Sequence, residues 1–279
     1  MEVPLLLVDG HNLLWRATFG FPAPIRSRDK TRDLTGVFGF FALLRVAIRD
    51  ELPHPPEVIV VFDGEYGSAA RQDADAAYKA NRVADETTLK PIRALPDVKR
   101  GLDAYGIAWM EIDDAEADDV IATLVHHSVA RKRLIMSADR DFYQLLTDDV
   151  HVLNTAMHPG KRDIGPAQVI DRYGVTPAQW PCFRALCGDP SDNIPGVHGI
   201  GPTTAARLLA GGLALEDLHA SGRLTGAKGT RISEAFDQVL AWRALIRTQT
   251  DVAVPYRPTG NPSPELPKPA EITEKLELW

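Results

Sequence analysis

The stretch LLLVDG at residues 5–10 decides the fold, because four consecutive apolar residues run directly into Asp9. A short run that is apolar throughout is typical of a strand buried on both faces of a parallel sheet. Segments with helical periodicity, for example residues 35–48 and 116–131, separate it from later runs of the same kind. We therefore predict an α/β fold, a mostly parallel sheet with helices on both faces. The predicted strands cover residues 5–8, 58–62, 107–110, 134–137 and 150–153.

Acidic residues stand where the predicted strands end, as at Asp9, Asp63 and Asp139. Because neighbouring parallel strands end at one crevice, we expect these side chains to converge. Two carboxylates about 5 Å apart repel each other by roughly 3 kcal/mol at an effective dielectric constant of ~20, so such a group requires cations. Oxygen ligands suit Mg²⁺ or Mn²⁺ better than Zn²⁺. The predicted metal ligands are Asp9, Asp63, Glu116, Asp118, Asp119, Asp139, Asp141, Asp189 and Asp192.

Each of these carboxylates also has a purely structural interpretation. An aspartate after a strand, such as Asp9 or Asp63, is a common helix N-cap or turn residue. Glu116 fits the start of a helix, and Asp189 and Asp192 lie in a turn-forming segment of Gly, Pro, Ser and Asn. Only the joint pattern favours a metal site over ordinary capping and turn chemistry.

The net charge does not exclude a nucleic-acid partner. The 279 residues carry −7 at pH 7, and without the nine proposed metal ligands the remainder carries +2. Cys182 and Cys187 are too few for a disulfide framework, which favours a reducing compartment. The sequence shows neither a signal peptide nor an apolar run of membrane-spanning length. We therefore expect a cytoplasmic protein that makes no membrane contact.

The character of the sequence changes along the chain. We assign residues 1–164 to the α/β core, in which residues 63–90 form a polar insertion that is short of core residues. From residue 165 to 250 the patterns are helical, with helices predicted at 166–173, 177–186, 202–209 and 232–247. Residues 251–279 are assigned to a proline-rich C-terminal tail, extended over residues 255–269.

Six segments resemble, in the same order, those of the 5′ nuclease family, which comprises the 5′–3′ exonuclease domain of bacterial DNA polymerase I, phage 5′ nucleases and flap endonucleases. They are LLLVDGHNLLWRA (5–17), VVFDG (60–64), YKANR (78–82), EADDVIATL (116–124), SADRDFYQLL (137–146) and GDPSDNIPGVHGIGPTTAARLL (188–209). The resemblance implies a PIN-like core, a helical arch within residues 63–90, and a helix–three-turn–helix in the C-terminal helical region.

The resemblance also implies roles for individual residues. The carboxylates from Asp9 to Asp141 bind a catalytic pair of metal ions, or more, and Asp189 and Asp192 complete the second site. Lys79 and Arg82 contact the scissile phosphate and stabilise its developing charge. An unpaired terminal base stacks on the aromatic ring of Tyr78. Further expected phosphate contacts are Arg16 and Arg71.

The segment at residues 196–209 resembles the helix–three-turn–helix that holds duplex DNA. Glycine-rich backbone at a helix start presents N–H groups to a phosphate, and the family often binds K⁺ through carbonyls of this loop. Family members often have Lys where this chain has Thr203, and Pro where it has His198. We therefore expect part of the duplex contact to move to cations nearby. The expected DNA-binding residues are Gly196, Gly199, Gly201, Thr203, Arg207, Lys228 and Arg231.

The resemblance thus implies a monomeric, structure-dependent 5′–3′ exonuclease or 5′-flap endonuclease. It would hydrolyse DNA that has a 5′ end or flap, RNA primer–DNA hybrids included, by two-metal catalysis during replication and repair. One alternative is a PIN-type ribonuclease, which would lack both GDPSDN and the helix–turn segment. The other is a non-catalytic DNA-structure-binding protein, which would predict erosion of the acidic set.

Overall fold

A six-stranded sheet forms the centre of the protein, with the strand order β3-β2-β1-β4-β5-β6. The computed structural model describes residues 2–82 and 85–279; Met1 and, within the expected arch, residues 83 and 84 lie outside them. Strands β1 to β5 pair in parallel and β6 pairs antiparallel to β5. The predicted, mostly parallel sheet is confirmed. Its strands are β1 (Leu5–Asp9), β2 (Glu57–Asp63), β3 (Ala108–Ile112), β4 (Arg133–Met136), β5 (Val150–Leu153) and β6 (Asp163–Ile164).

Eleven α-helices surround this sheet or extend from it in the described part of the chain. Two 3₁₀ segments, Asp141–Leu145 and Pro177–Gln179, precede helical or extended stretches. The helices are α1 (Gly10–Phe19), α2 (Thr35–Glu51), α3 (Ala69–Ala74), α4 (Glu86–Ala104), α5 (Ala117–His126), α6 (Pro166–Tyr173), α7 (Trp180–Cys187), α8 (Pro202–Leu209), α9 (Gly226–Glu234), α10 (Phe236–Ile246) and α11 (Pro269–Lys275). None of the described helices is long and apolar enough to cross a membrane.

Helices cover both faces of the sheet, because alternate strand residues point to opposite sides. On β1, Leu5 and Leu7 belong to the apolar core that includes α5 and α7. Leu6 and Val8 belong to a second core, which includes α1, α2 and α4. All four side chains are fully buried. This double burial explains why β1 is apolar without interruption up to Asp9.

The helix predicted over 177–186 begins as the 3₁₀ segment Pro177–Gln179 and continues as α7. Two other predicted helices are shorter in the structure. The helix predicted over 116–131 ends at His126, because Arg131 pairs with Glu57 and Arg133 already belongs to β4. The helix predicted over 232–247 is divided at Ala235, whose backbone angles of φ −96° and ψ 10° interrupt the regular helix. In both cases the apolar periodicity continues past the point where tertiary contacts turn the chain.

The C-terminal segment contacts the core at several points along its length. Residues 255–268 contain no regular secondary structure, but the Ser263 hydroxyl accepts a hydrogen bond of 2.8 Å from the backbone N–H of Val58. Helix α11, which was not predicted, then lies against α2. Ile272 of α11 is fully buried, and Leu276 and Leu278, which follow the helix, are almost fully buried. The predicted tail is therefore a structural part of the core that contains α1, α2 and α4.

We expect Ile272→Ala to destabilise the protein by about 2–5 kcal/mol, because it leaves a cavity beneath α11. A free tail would tolerate the same change. Ile170→Ala is a matched control, since Ile170 also lies on a helix but is 44% exposed, and its effect should stay within about 0.5 kcal/mol. Urea unfolding of both variants measures the difference, and equal effects would contradict the packed C-terminal segment.

Candidate active site

A groove of about 500 Å³ opens at the carboxyl edge of the sheet. Six of the nine predicted carboxylates line it: Asp9, Asp63, Asp118, Asp139, Asp141 and Asp192. They come from β1, β2, the start of α5, the segment after β4 and the loop before α8. Lys79 and Arg82 line the same groove. The structure thus brings together side chains that are up to 183 positions apart in the sequence (Asp9 to Asp192).

The strand-end carboxylates are held by backbone and hydroxyl groups. Asp9 is the N-cap of α1: its Oδ1 accepts a hydrogen bond of 3.0 Å from the N–H of Asn12, and its Oδ2 accepts one of 2.8 Å from the Ser137 hydroxyl. Asp63 accepts a hydrogen bond of 2.8 Å from the N–H of Ala117 at the start of α5. Asp9 is therefore both the N-cap of α1 and a residue of the groove.

Asp139 and Asp141 reach the groove through a turn rather than an extended strand end. The N–H of Asp139 donates to the Ser137 hydroxyl at 3.0 Å, and the N–H of Asp141 donates to the Asp139 carboxylate at 2.9 Å. Arg140 between them has helical backbone angles. Asp141 Oδ1 is buried and has no hydrogen-bond partner among the described residues. That oxygen is oriented for a group that the protein itself does not supply.

Burial and mutual repulsion oppose the charges in the groove. Burial, assisted by the charges of Asp63 and Asp139, raises the pKa of Asp9 to about 7. Burial also raises the pKa of Asp118 well above its usual value, with Asp139 and Asp9 adding to the effect. Burial, assisted by the charges of Asp139, Asp189 and Asp192, also raises the pKa of Asp141. Cations or protons must therefore balance this cluster.

The donor set fits hydrated divalent ions. All the acidic ligands offer oxygen, which Mg²⁺ and Mn²⁺ prefer, and the unpaired oxygen of Asp141 is available. No group of three or more acidic, histidine or cysteine side chains among the described residues surrounds a single point closely enough to hold an ion alone. Mg²⁺ keeps several waters and commonly takes one or two carboxylates together with substrate phosphate. The open arrangement of the groove carboxylates is consistent with this mode of Mg²⁺ binding.

Three predicted ligands lie outside the groove lining. Asp119 makes two hydrogen bonds of 2.8 Å with Arg71, and Glu116 pairs with Arg71 and Lys79 at 2.5 Å each. Asp189 pairs with Arg184 at 2.5 Å and accepts a hydrogen bond of 3.0 Å from the N–H of Ser191. These carboxylates already have cationic partners. The prediction that all nine face the metals is therefore not supported by their positions.

Residues 77–82 dock on the loop that carries Asp192. Lys79 has a left-handed backbone (φ 54°), and its N–H donates to the Asp192 carbonyl at 3.0 Å. Its Nζ is held by Glu116. The Arg82 guanidinium is 58% exposed and lies 3.3 Å from Asp192 Oδ1. Both cations are thus at the groove, the Lys79 side chain 11% exposed and that of Arg82 58% exposed.

Three predicted DNA contacts lie in positions that do not support their expected roles. Tyr78 is only 3% exposed, and its hydroxyl donates to Glu116 at 3.1 Å, so its ring offers no face to an incoming base. Arg71 is 8% exposed and is bonded to protein groups, so its position does not support a phosphate contact. Arg16 lies outside the groove lining, with Nη1 donating to the Thr155 hydroxyl at 2.7 Å.

Four groove residues were not predicted as site residues: His11, Asn12, Trp15 and Ile92. The side-chain oxygen of Asn12 accepts a hydrogen bond of 3.0 Å from the N–H of Ala138, which links α1 to the Asp139 turn. Asn12 stands three positions after Asp9, on the same face of α1, and this spacing could have indicated it. Ile92 lies on α4, and no sequence signal places it near the carboxylates.

A second candidate surface surrounds the start of α8. Gly201 is the N-cap of α8 and Pro202 is its first residue. Gly196 (φ 68°) must be glycine, because a Cβ there would lie 2.3 Å from the backbone nitrogen of Gly188. The left-handed Gly199 (φ 78°) lies against Arg231 of α9. Exposed backbone at a helix start beside cations suits a phosphate.

Helix α9 contributes two cations to this surface. Lys228 Nζ lies 3.3 Å from the Thr204 hydroxyl of α8, and Arg231 is exposed beside Gly199. Thr203 and Arg207 are exposed on α8 itself. The structure therefore brings together the predicted glycines and the predicted cations of α8 and α9.

Comparisons with known proteins agree with this geometry. The 5′–3′ exonuclease N-terminal resolvase-like domain matches residues 4–174, and the 5′–3′ exonuclease C-terminal SAM fold matches residues 175–265. A Mycobacterium tuberculosis protein named 5′–3′ exonuclease is 34% identical over 91% of this chain and 86% of its own length. Thermostable DNA polymerase I of Thermus aquaticus is 37% identical over 98% of this chain, which spans only about a third (32%) of that relative.

Solved structures share the fold. The flap endonuclease of bacteriophage T5, in a pseudo-enzyme–product complex with DNA and metal ions, has a TM-score of 0.67 at 20% identity, over 87% of this chain and 88% of that one. The catalytic core of Rad2 with DNA substrate has a TM-score of 0.61 at 15% identity, over 100% and 89%. Together with the two family matches, which span residues 4–265, these findings show that the chain belongs to the 5′–3′ exonuclease family.

Proposed function

We propose that this chain hydrolyses phosphodiester bonds of DNA that has a 5′ end or a 5′ flap, as a 5′–3′ exonuclease and flap endonuclease. The groove carries the proposal: six carboxylates and two cations, Lys79 and Arg82, line one open space. An anionic substrate can enter such a groove only when metal ions offset its carboxylates. The relatives named 5′–3′ exonuclease and flap endonuclease support this assignment.

The groove residues would have two different roles, metal binding and phosphate binding. Asp9, Asp63, Asp118, Asp139, Asp141 and Asp192 would hold two or more Mg²⁺ or Mn²⁺ ions. Bound there, such ions supply an activated water and neutralise the attacked phosphate. Lys79 would donate to a non-bridging oxygen of the scissile phosphate, and Arg82 would hold the adjacent phosphate. Ser137 would fix two of these ligands, because its hydroxyl donates to the Asp9 carboxylate and accepts a hydrogen bond from the N–H of Asp139.

The surface around α8 and α9 would hold the duplex next to the cleavage point. Gly199 and Gly201 expose backbone at the start of α8, and Lys228 and Arg231 flank it. A K⁺ ion could use carbonyls of the same glycine loop, as the family resemblance implies. We extend the proposal to RNA primer–DNA hybrids, to a monomeric form and to primer or flap removal in replication and repair.

Arg231→Gln should weaken duplex binding at every sequence, because it removes one phosphate-neutralising charge. The slope of log K against log salt concentration should fall in magnitude by about one. Arg243→Gln is the control, since Arg243 lies on the neighbouring α10 but is paired with Glu216, so its slope should equal that of the wild type. Fluorescence anisotropy with a labelled duplex in Ca²⁺ measures both. Equal slopes for the two variants would remove Arg231 from the duplex surface.

The function itself is tested with a 5′-labelled flap duplex, the same duplex without a flap, and single-stranded RNA, each with Mg²⁺ and with EDTA. We expect Mg²⁺-dependent cleavage near the flap junction, which leaves a 5′-phosphate. Cleavage of the single-stranded RNA alone would identify a PIN-type ribonuclease instead. Tight binding of the flap without any cleavage would identify a non-catalytic DNA-structure-binding protein.

A further inference from the structure

Arg71 of α3 connects three parts of the molecule that lie far apart in sequence. Its Nε donates to the carbonyl of Leu245 at 2.9 Å, and its Nη2 donates to the carbonyl of Arg247 at 3.1 Å. Both carbonyls are at the C-terminal end of α10, where the helix dipole is negative. The same guanidinium reaches the first turn of α5, where it binds Glu116 and Asp119.

Arg71 has no hydrogen-bond donor left for a DNA phosphate. A guanidinium carries five N–H groups. Two of them meet the carbonyls of α10, two meet the oxygens of Asp119 at 2.8 Å, and one meets Glu116 at 2.5 Å. The residue is also 8% exposed. Its contribution to the reaction therefore has to pass through its protein partners.

Glu116 and Asp119, the acidic partners of Arg71, contact or flank two groove residues, Lys79 and Asp118. Glu116 Oε1 accepts a hydrogen bond of 2.5 Å from Lys79 Nζ, and Glu116 Oε2 accepts one of 3.1 Å from the Tyr78 hydroxyl. Asp119 also accepts a hydrogen bond of 2.8 Å from the N–H of Gln249, which follows α10. Asp118 lies between these two anchored acids, with its own carboxylate in the groove. The direction of Asp118 thus depends on how firmly both neighbours are held.

The charges within this network balance. Arg71 and Lys79 supply two positive charges, and Glu116 and Asp119 supply two negative charges, all with side chains at most 11% exposed. Removal of one member of such a buried set leaves an uncompensated charge, which is strongly unfavourable. A bound metal ion at Glu116 or Asp119 would compete with the guanidinium for the same oxygens.

We propose that Arg71 is a positioning residue, which couples the C-terminal end of α10 to Asp118 and Lys79, and that Glu116 and Asp119 are its anionic partners rather than metal ligands. The proposal rests on the proposed nuclease function. It joins the helical region that holds the duplex to the groove that cleaves it. Loss of Arg71 leaves the phosphate contacts in place but misdirects the groups that act on the phosphate.

The test compares Arg71→Gln, Arg71→Lys and the double variant Arg71→Gln/Asp119→Asn with the wild type. Three quantities are measured: kcat on a 5′-flap duplex with Mg²⁺, the salt dependence of duplex binding in Ca²⁺, and the melting temperature. Arg82→Gln is the matched control, because Arg82 is a 58% exposed cation close in sequence. As a phosphate contact, Arg82 should lower the salt slope by about one when it is removed.

We expect Arg71→Gln to lower kcat by about 10–100-fold, the usual effect of losing a residue that orients metal ligands or catalytic groups, while its salt slope equals that of the wild type. Arg71→Lys should lose a comparable factor, since one ammonium cannot replace the planar five-donor group. In the double variant, the melting temperature should recover because the charges balance again, whereas kcat should stay low because the α10 carbonyls remain unbound.

Three results would overturn the proposal. A salt slope lowered by about one in Arg71→Gln would make Arg71 a phosphate contact. Wild-type kcat in Arg71→Lys would show that its charge alone suffices. Recovery of kcat together with melting temperature in the double variant would reduce Arg71 to a support of the fold. If the wild type cleaves no flap, the proposed function fails, and the salt slope still decides whether Arg71 contacts DNA.

Discussion

Asp118→Asn should lower the rate of flap cleavage by at least about 10³-fold, which corresponds to roughly 4 kcal/mol of transition-state stabilisation. Asp118 lines the acidic groove, and burial, with the charges of Asp139, Asp9 and Asp63 adding to it, raises its pKa well above the usual value. Asparagine has nearly the same shape but no negative charge. The metal ions would therefore lose a ligand without a change in the packing.

Its neighbours in sequence provide matched controls. Asp114→Asn changes an exposed carboxylate four positions earlier and should leave the rate unchanged. Asp119→Asn should lower the melting temperature, because it leaves Arg71 buried with one anion fewer, and should lower the rate less than Asp118→Asn, because Asp118 keeps its own carboxylate. Single-turnover cleavage and thermal unfolding of all three variants separate the ligand from the buried ion pair. A rate of Asp118→Asn within about tenfold of the wild type would exclude Asp118 from the metal site.

The stability of the metal-free protein should fall as the pH rises from about 4 to about 8. Asp9 has a pKa of about 7 in the folded protein, against an ordinary value of 3.8. Between these values the folded state binds more protons than the unfolded state, so a higher pH favours unfolding. The stability that protonated Asp9 contributes is complete below about pH 4 and is lost through about pH 7, at most roughly 4 kcal/mol for a shift of this size. Asp118 and Asp141 shift in the same direction.

Added Mg²⁺ should remove most of this loss, because the ions replace the protons as partners of the carboxylates. Metal binding should correspondingly release protons and weaken as the pH falls below about 7. Melting temperatures in EDTA and in Mg²⁺ across this pH range measure the effect. Asp9→Asn should flatten the EDTA profile, whereas Asp29→Asn should not, since hydrogen bonds from Ser27 and Thr31 hold the pKa of Asp29 at about 2. An EDTA profile that rises with pH would contradict the raised pKa of Asp9.

Local patterns predicted the mostly parallel sheet, and six of the nine carboxylates that they indicated line one groove. The apolar runs that end in Asp9 and Asp63 are strands buried on both faces, as their uninterrupted apolarity and short length predict. Strand β6 has only two residues, which is too short for any periodicity. Helix α11 follows a proline-rich run, and which of its residues are buried depends on its packing against α2.

The sequence could not show which charges face each other. Asp118 and Asp119 are adjacent and chemically identical, yet one lines the groove and the other holds Arg71. Successive residues of a helix point about 100° apart, so the direction of each depends on what lies around α5. Likewise Tyr78 follows the expected motif but is turned inward toward Glu116. A motif indicates which residues act together, whereas their orientation is a property of the packed structure.

By itself, the sequence determined the parallel α/β core, the convergence of acidic residues at one edge of the sheet, and the family, because these depend on local apolarity, strand ends and motif order. Only the tertiary structure decided how the nine carboxylates divide. Six remain in the groove as an unbalanced cluster, while Glu116, Asp119 and Asp189 are neutralised by Arg71, Lys79 and Arg184. A buried charge takes its role from the partner within about 3–4 Å, and these partners come from distant parts of the chain.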